Sequence, residues 1–469
     1  MNLDIKNYLS RRRHLKHLLS LPLASGVFTG CSQTGMTSRR RSRPQGSRRD
    51  AVIIIGAGAA GLGAAEELRR YGYSNISFLE ARERVGGRVW TSREWADAPM
   101  DLGATWIHGI RKNPLSQMAK EARVATVPTD YGNQMVYSQS GRPFGEESLE
   151  ALGDLMKILE KAMSKSPPPG VRTLEEFVAF AISGYEEIDK RQVNHLAHAL
   201  YESDLGEDSA NLSLYAHLAG KSFAGGDVWF PGGYSSVFSN RFKEFPVRTG
   251  YVVESLDWNN ASVIIQTNRG VFRADRVILT LPLGVLKKGS VEFSPGLPES
   301  KLAAIDAIGM GCLDKVCLRF PNVFWRKELD GFQYQSTEPG QWSQWHNPHQ
   351  HIKAPVLVAY NSGSFARGLE KKTDSAIVAG AMETLRKIYG PSIPDPESFQ
   401  VTRWDADPFA FGSYSLLAPG GTSAHIEELG KPVGGRLFFA GEATSPDHQA
   451  TVHGAYLSGQ REARRVVMG

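Results

Sequence analysis

The stretch Val52–Gly61, VIIIGAGAAG, constrains the fold of this chain more than any other. Val52, Ile53, Ile54 and Ile55 read as a buried strand that stops at Gly56. Gly58 and Gly61 follow at the spacing of a dinucleotide-binding turn, and Ala64–Arg70 reads as a helix. Glycine at 56 permits the tight turn, at 58 lets backbone approach a pyrophosphate, and at 61 lets helix and strand pack closely. Ala60 lies in the same turn, where unpaired N–H groups and the helix dipole favour phosphate. Glu80 ends the next apolar strand (Ile76, Phe78, Leu79), about 20 residues on, where a carboxylate can hold ribose hydroxyls. The glycine pattern alone is a weak signal. Strand, helix, second strand and acid in that order favour a bound dinucleotide over an unliganded glycine-rich turn.

At 469 residues the chain exceeds one ordinary core, so two domains are expected. The formal charge of +5 belongs to the N-terminus, since residues 1–50 hold eleven of the 54 Lys and Arg but only two of the 49 acids, Asp4 and Asp50. The remainder, with 43 basic and 47 acidic residues, is mildly acidic. That balance argues against nucleic-acid binding and suits a cationic substrate. No apolar run is long enough to span a bilayer.

Ser10–Lys16 (SRRRHLK) resembles a twin-arginine export motif, with an apolar stretch, Leu18–Phe28, behind it. Phe28-Thr29-Gly30-Cys31 resembles a lipobox whose Cys31 is acylated after cleavage. The expectation is an export signal over 1–31 and a disordered basic linker over 32–49. The protein would then be periplasmic, or anchored on the periplasmic side by a lipid on Cys31, its one membrane attachment. The alternative is a disordered basic tail. Cys312 and Cys317 read as buried free thiols, and no His/Cys cluster has metal-ligand spacing, so no metal is expected.

Along the body, Glu147–Lys165 has helical periodicity, broken at Ser166-Pro167-Pro168-Pro169-Gly170, and Leu174–Leu214 continues helical. Tyr251–Leu256, Ser262–Thr267 and Gly270–Ala274 read as a small β-meander. Arg276–Leu281 and Arg436–Gly441 are further buried strands, Cys312–Phe320 and Pro355–Tyr360 are strands, and Ser375–Tyr389 and Val452–Val467 are helices. Nucleotide-type segments thus recur at the start, middle and end. The expected fold class is α/β: a discontinuous Rossmann-like nucleotide domain (50–130, 236–300 and 401–469) with a mixed α+β substrate domain built from 131–235 and 301–400.

At Glu80–Arg88 (EARERVGGR) the chain resembles the flavin-containing amine oxidase family, whose domain is of the p-hydroxybenzoate hydroxylase-like type. Four more blocks agree in order: Asp101–Gly109 (DLGATWIHG), Gly311–Trp325, Thr402–Ser415 and Leu437–Gln460. The resemblance implies FAD. Gly56, Gly58 and Gly61 would carry the pyrophosphate and Glu80 the adenosine ribose. Arg82, Gly87 and Arg88 would flank phosphates and ribityl chain, and Gly103, Ala104, Thr105 and Trp106 would line the flavin. Val253 would meet the adenine through its backbone, Trp404 would pack by the isoalloxazine, Gly441 and Glu442 would meet the ribityl or phosphate region, and Thr451 and Val452 would lie near the flavin carbonyls.

The resemblance also implies amine oxidation by hydride transfer to flavin N5, with O2 reduced to H2O2. Lys315 interrupts an apolar strand, and a buried lysine is rare without a role. The matching lysine in the family assists reoxidation by O2. Tyr414 matches the aromatic wall of the amine oxidases. Thr451 stands where monoamine oxidases carry a second tyrosine, and Ser413 where they carry the flavin-linking cysteine, so noncovalent FAD is expected. His108 matches the polyamine-oxidase form of its block, and Asp101–Gly109 lacks the arginine of L-amino-acid oxidases. His453 reads as structural. Glu202, Asp204, Glu207 and Asp208 form an acidic run that either lines a polycation tunnel or is a solvated face. The expected activity is a polyamine oxidase acting on spermine- or spermidine-type secondary amines. The rivals are another amine or L-amino-acid oxidase, a histone-demethylase-like enzyme, which Gln449–Gly454 resembles, and a non-catalytic flavin-binding surface protein.

Overall fold

The computed structural model describes residues 49–163, 167, 169–185, 188–214 and 220–469. The expected export signal, Cys31 and nearly all of the basic linker lie outside the described residues.

Five parallel strands form the first sheet, in the order Leu437–Phe439, Arg276–Leu279, Val52–Ile55, Ile76–Leu79, Val247–Arg248. The central strand is buried on both faces, and its side chains alternate between two cores. Val52 and Ile54 pack with the helix Ala59–Arg70 and the closing helix Val452–Met468, whereas Ile53 and Ile55 pack on the four-stranded sheet that contains the meander. The two helices approach backbone to backbone. A Cβ on Gly459 would lie 1.9 Å from the Ala60 carbonyl oxygen, and one on Gly63 would lie 2.2 Å from that of Tyr456.

The second sheet has six strands in the order Ser398–Val401, Leu313–Arg319, Val356–Ser362, Gln344–His346, Gly331–Tyr334, Gln134–Tyr137. The helix Asp374–Tyr389 covers it through Ile377, Ala381 and Leu385. A third core gathers Glu146–Met163, Leu174–Ile182 and Lys190–Ala197.

Two expectations need correction. The helical run read over Leu174–Leu214 is several short pieces. Leu174–Ile182 starts at a Thr173 capping box, Asp189 caps a new start at Lys190–Ala197, a π-turn follows over His198–Glu202, and left-handed Gly206 stops the chain. Local caps outweigh periodicity here. The first helix also begins at Ala59 rather than Ala64, because Gly58 is its N-cap. Among the described residues no helix is long and apolar enough to cross a membrane.

Candidate active site

A cavity of about 700 Å³ runs from the carboxyl ends of the first sheet's strands to the second sheet. Every cofactor and catalytic candidate from the sequence lines it except Gly61, which is sealed beneath the turn (a Cβ there would lie 2.2 Å from the Gly56 carbonyl oxygen), while Glu202, Glu207 and Asp208 of the acidic run lie outside its lining.

The nucleotide-facing part is built from backbone. Gly56 has a φ of +102°, and a Cβ on it would strike Thr280 Oγ1 at 2.3 Å. Gly58 and Gly441 are different, since a Cβ on either would meet no protein atom and would project into open space. The helix at Ala59 has no side-chain cap, so its first N–H groups remain available to an anion. Glu80, 6% exposed, accepts from Ala57 N at 2.7 Å and Arg82 N at 2.8 Å, tying the turn to the second strand. Burial raises its carboxyl above the ordinary range, partly offset by those two N–H groups. Arg82 makes a two-pronged pair with Asp407 at 2.8 and 2.7 Å. Arg88 Nη1 donates to Ser413 O and to Glu442 Oε1, both at 2.9 Å. Glu442 also accepts from the Ser415 hydroxyl at 2.6 Å and Ala450 N at 3.0 Å, so it serves to fix Arg88. A turn whose Gly56 and Gly58 present no Cβ, an uncapped helix start and two held arginines fit a dinucleotide flavin. When bound, it supplies a two-electron acceptor for a carbon–hydrogen bond beside an amine nitrogen.

The amine-facing part is built from side chains that meet across long sequence separations. Lys315, 3% exposed, donates from Nζ to Asp101 O at 2.7 Å, Gly103 O at 2.6 Å and Thr105 Oγ1 at 2.6 Å. Those acceptors take up all three of its donors, so donation to any other group requires exchanging one of them. Burial pushes its pKa down to about 8 against the opposing charge of Asp101. The buried Asp101 carboxyl is itself pushed up to about 6. Lys315 Nζ stands 5.3 Å from the Tyr360 ring centre, and Tyr360 packs on Trp106 at 5.6 Å.

Trp404 donates from Nε1 to Leu102 O at 3.0 Å, and its own N–H is held by Asp314. Asp314, Glu370 and Cys312 bring their polar atoms within 4.8 Å of one another, a cluster that linear spacing does not show because Glu370 joins from a separate helix. Burial, then Glu370, push the Asp314 carboxyl far up. With Glu370 accepting from Asp405 N and Ala406 N, the pair clamps the loop that carries Trp404. Cys312 and Cys317 are free and buried.

Tyr414 lies against Gly206, where a Cβ would sit 3.2 Å from its hydroxyl, and burial raises its pKa. The Thr451 hydroxyl donates to His448 O and accepts from Gly454 N, both at 2.9 Å, so it is taken up by the cap of the last helix while the residue lines the cavity. Ser413 Oγ is similarly held between Leu313 N and O. Of the acidic run, Glu202 is held by His198 and Ser209, Glu207 by Arg367, and Asp208 by Ser364 N; Asp204 lines the cavity. His453 is buried, beside Asn113, and burial pushes it down to about 3, leaving it neutral.

His108 lines the outer wall and pairs with Asp227 at 3.1 Å. Asp227, Tyr131, His346 and Tyr360 also line the cavity but carry no motif in the sequence. Asp227 reaches His108 only because Trp106–Ile107 pairs with Val228–Trp229, two two-residue strands more than a hundred positions apart.

The description "Flavin containing amine oxidoreductase" matches residues 59–467. The chain is 34% identical over 474 residues to "Lysine-specific histone demethylase 1 homolog 2" of Arabidopsis thaliana, covering 96% of this chain and 63% of that one. It is 28% identical to "Lysine-specific histone demethylase 2" of Homo sapiens, covering 90% and 54%. The chain thus spans less than two thirds of the length of these curated relatives. A structure of putrescine oxidase bound to putrescine superposes with a TM-score of 0.75 at 19% identity, over 90% of this chain and 99% of that one, which establishes the shared fold. Taken with the flavin-shaped turn and the buried lysine, the match shows that this chain belongs to the flavin-containing amine oxidoreductases.

Proposed function

We propose that the protein is an exported polyamine oxidase acting on spermine- or spermidine-type secondary amines. A secondary amine, O2 and water would give an aldehyde, a shorter amine and H2O2. The observation that carries this reading is the charge of the cavity wall. Asp204, Asp227 and Asp330 line it; of the lysines there, Lys221 pairs with Asp447 and Lys315 commits its donors to Asp101 O, Gly103 O and Thr105, and among the described residues its only arginines are Arg82 and Arg88, both held by carboxylates at the nucleotide end. Such a wall suits a polycation and offers a substrate carboxylate no two-pronged partner.

The proximity to proteins named as lysine-specific histone demethylases supports a second reading, in which the amine is a methylated lysine side chain. The test is H2O2 release from spermine, spermidine, putrescine, acetylated polyamines, L-amino acids and a dimethyl-lysine peptide. Polyamine turnover supports the first reading. Turnover of the peptide alone, with formaldehyde released, supports the second, and turnover of L-amino acids alone overturns both.

A further inference from the structure

Outside the cavity lining, Cys312, Asp314, Asn361 and Glu370 come together beneath one helix. Cys312 and Asp314 stand two apart at the start of the strand Leu313–Arg319 and share a face. Asn361 lies directly opposite Asp314 in the antiparallel strand Val356–Ser362, so both side chains leave the same face with Cβ atoms about 5 Å apart. The helix Gly363–Glu370 packs on both strands and delivers Glu370 from its last position. Cys312 Sγ is 3.4 Å from Asp314 Oδ2 and 3.6 Å from Glu370 Oε1. The far oxygens are held from outside. Asp314 Oδ1 accepts from the Thr402 hydroxyl at 2.7 Å and Trp404 N at 3.1 Å, and Glu370 Oε2 accepts from Ala406 N at 2.7 Å. Glu370 Oε1 also accepts from Asp405 N at 2.7 Å.

Two carboxyl groups brought together out of water need positive charge between them. Among the described residues no cationic side chain pairs with either. Arg367, three residues before Glu370, is taken by Glu207 at 3.0 and 2.6 Å and by Met310 O at 3.1 Å, and Arg403 reaches only the Glu370 backbone carbonyl. The Cys312 thiol has one proton and faces two carboxylate oxygens. Asn361 is 1% exposed, and neither its Oδ1 nor its Nδ2 has a hydrogen-bond partner, so a buried acceptor is left unanswered beside the pair. The spacing suits a small soft dication. Zinc–oxygen bonds of about 2.0 Å and zinc–sulfur bonds of about 2.3 Å at a tetrahedral angle set oxygen and sulfur about 3.5 Å apart. Glu370 is half-buried beside exposed Ala406, which gives a cation a way in.

We propose that Cys312 Sγ, Asp314 Oδ2, Glu370 Oε1 and Asn361 Oδ1 form a structural site for a thiophilic divalent cation of the zinc type. The thiol selects against calcium and magnesium, which take oxygen ligands. Four protein ligands close the site, so its role is structural. Binding sends two protons to solvent, one from the thiol and one shared by the carboxyl pair, and a dication replaces them, which leaves the net charge of the cluster unchanged. The outer hydrogen bonds from Thr402, Trp404, Asp405 and Ala406 orient the two carboxylates, as such bonds do around metal ligands. The cation would thus tie the strand, the helix and the loop carrying Trp404 to one point.

The test uses the full-length, flavin-loaded protein, loaded with zinc, gel-filtered and assayed for metal by mass spectrometry. About one zinc per chain is expected to be retained, with a rise in unfolding temperature that a chelator reverses. Cys312→Ser and Glu370→Gln should each weaken zinc binding at least about 10-fold, whereas Cys317→Ser should not change it. Cadmium gives a second readout that leaves every proposed ligand in place. With Cys31→Ser and Cys317→Ser combined, Cys312 is the only thiol of the chain, and cadmium should produce an ultraviolet thiolate-to-metal band. That band decides the matter if Cys312→Ser does not fold. Its absence, failure of the wild type to retain zinc, or equal retention by folded Cys312→Ser overturns the site and leaves the amine reading standing.

Discussion

The two parts of the cavity are made by opposite means. The nucleotide end is a local object: Gly56, Gly58, the helix start at Ala59 and Glu80 fall within one strand–helix–strand unit, and most of its recognition is by backbone. The amine end is a convergence. Lys315 finds its acceptors more than two hundred residues away, and His108 meets Asp227 across a pair of minimal strands. Backbone recognition imposes glycines at fixed spacing, which a sequence displays. Side-chain convergence imposes only that the fold be right, which a sequence does not display.

Changes at the packing beneath the nucleotide end should have the largest effect. Gly459→Leu drives a side chain into the Ala60 carbonyl, and a loss of more than about 4 kcal/mol is expected, seen as insoluble or colourless protein. Lys315→Met should fold, retain flavin and lower the rate of reoxidation by O2 about 100-fold, measured by stopped-flow after anaerobic reduction. Retention of full oxygen reactivity would show that the lysine is only a strut among three carbonyl and hydroxyl acceptors. Gly58→Val should sharpen the contrast. Its Cβ meets no protein atom within 4 Å, so unfolding free energy should shift by no more than about 0.5 kcal/mol while flavin affinity falls markedly, read by fluorescence titration of apoprotein. Tyr414→Phe should change turnover by less than about threefold, because the ring rather than the hydroxyl forms the wall; the rate with Tyr414→Ala should fall further.

The last effect concerns pH. Lys315 titrates near 8 in the fold and near the ordinary 10.5 when unfolded. Between those values the unfolded chain binds a proton that the folded chain does not, so this residue makes stability rise with pH across that window. Denaturant midpoints from pH 8 to 10.5 should show the rise in wild type and lose part of it in Lys315→Met.

Much of the fold was readable from apolar runs: Val52–Ile55, the Gly270–Ala274 strand and the closing helix lie where periodicity places them, within a residue or so. The region after Leu174 was misread because Asp189 and Gly206 act through caps and a left-handed residue, which outweigh an apolar pattern. At the site, Lys315 stood out as a charge inside an apolar strand. Asp227 did not, since nothing in Gly-Gly-Asp-Val-Trp marks the aspartate until Trp229 is paired with Trp106. Glu442 was visible as the acid after a buried strand, but its engagement with Arg88, Ser415 and Ala450 depends on tertiary contacts.

The strand order of the first sheet has a consequence for biosynthesis. Its edge strand, Leu437–Phe439, and the helix that seals Ala59–Arg70 lie more than 350 residues beyond the phosphate turn they complete. A chain emerging from the ribosome therefore carries its glycine turn uncovered until that distant strand and helix have been made. Firm capture of the prosthetic group waits on those two elements rather than on the turn that contacts it.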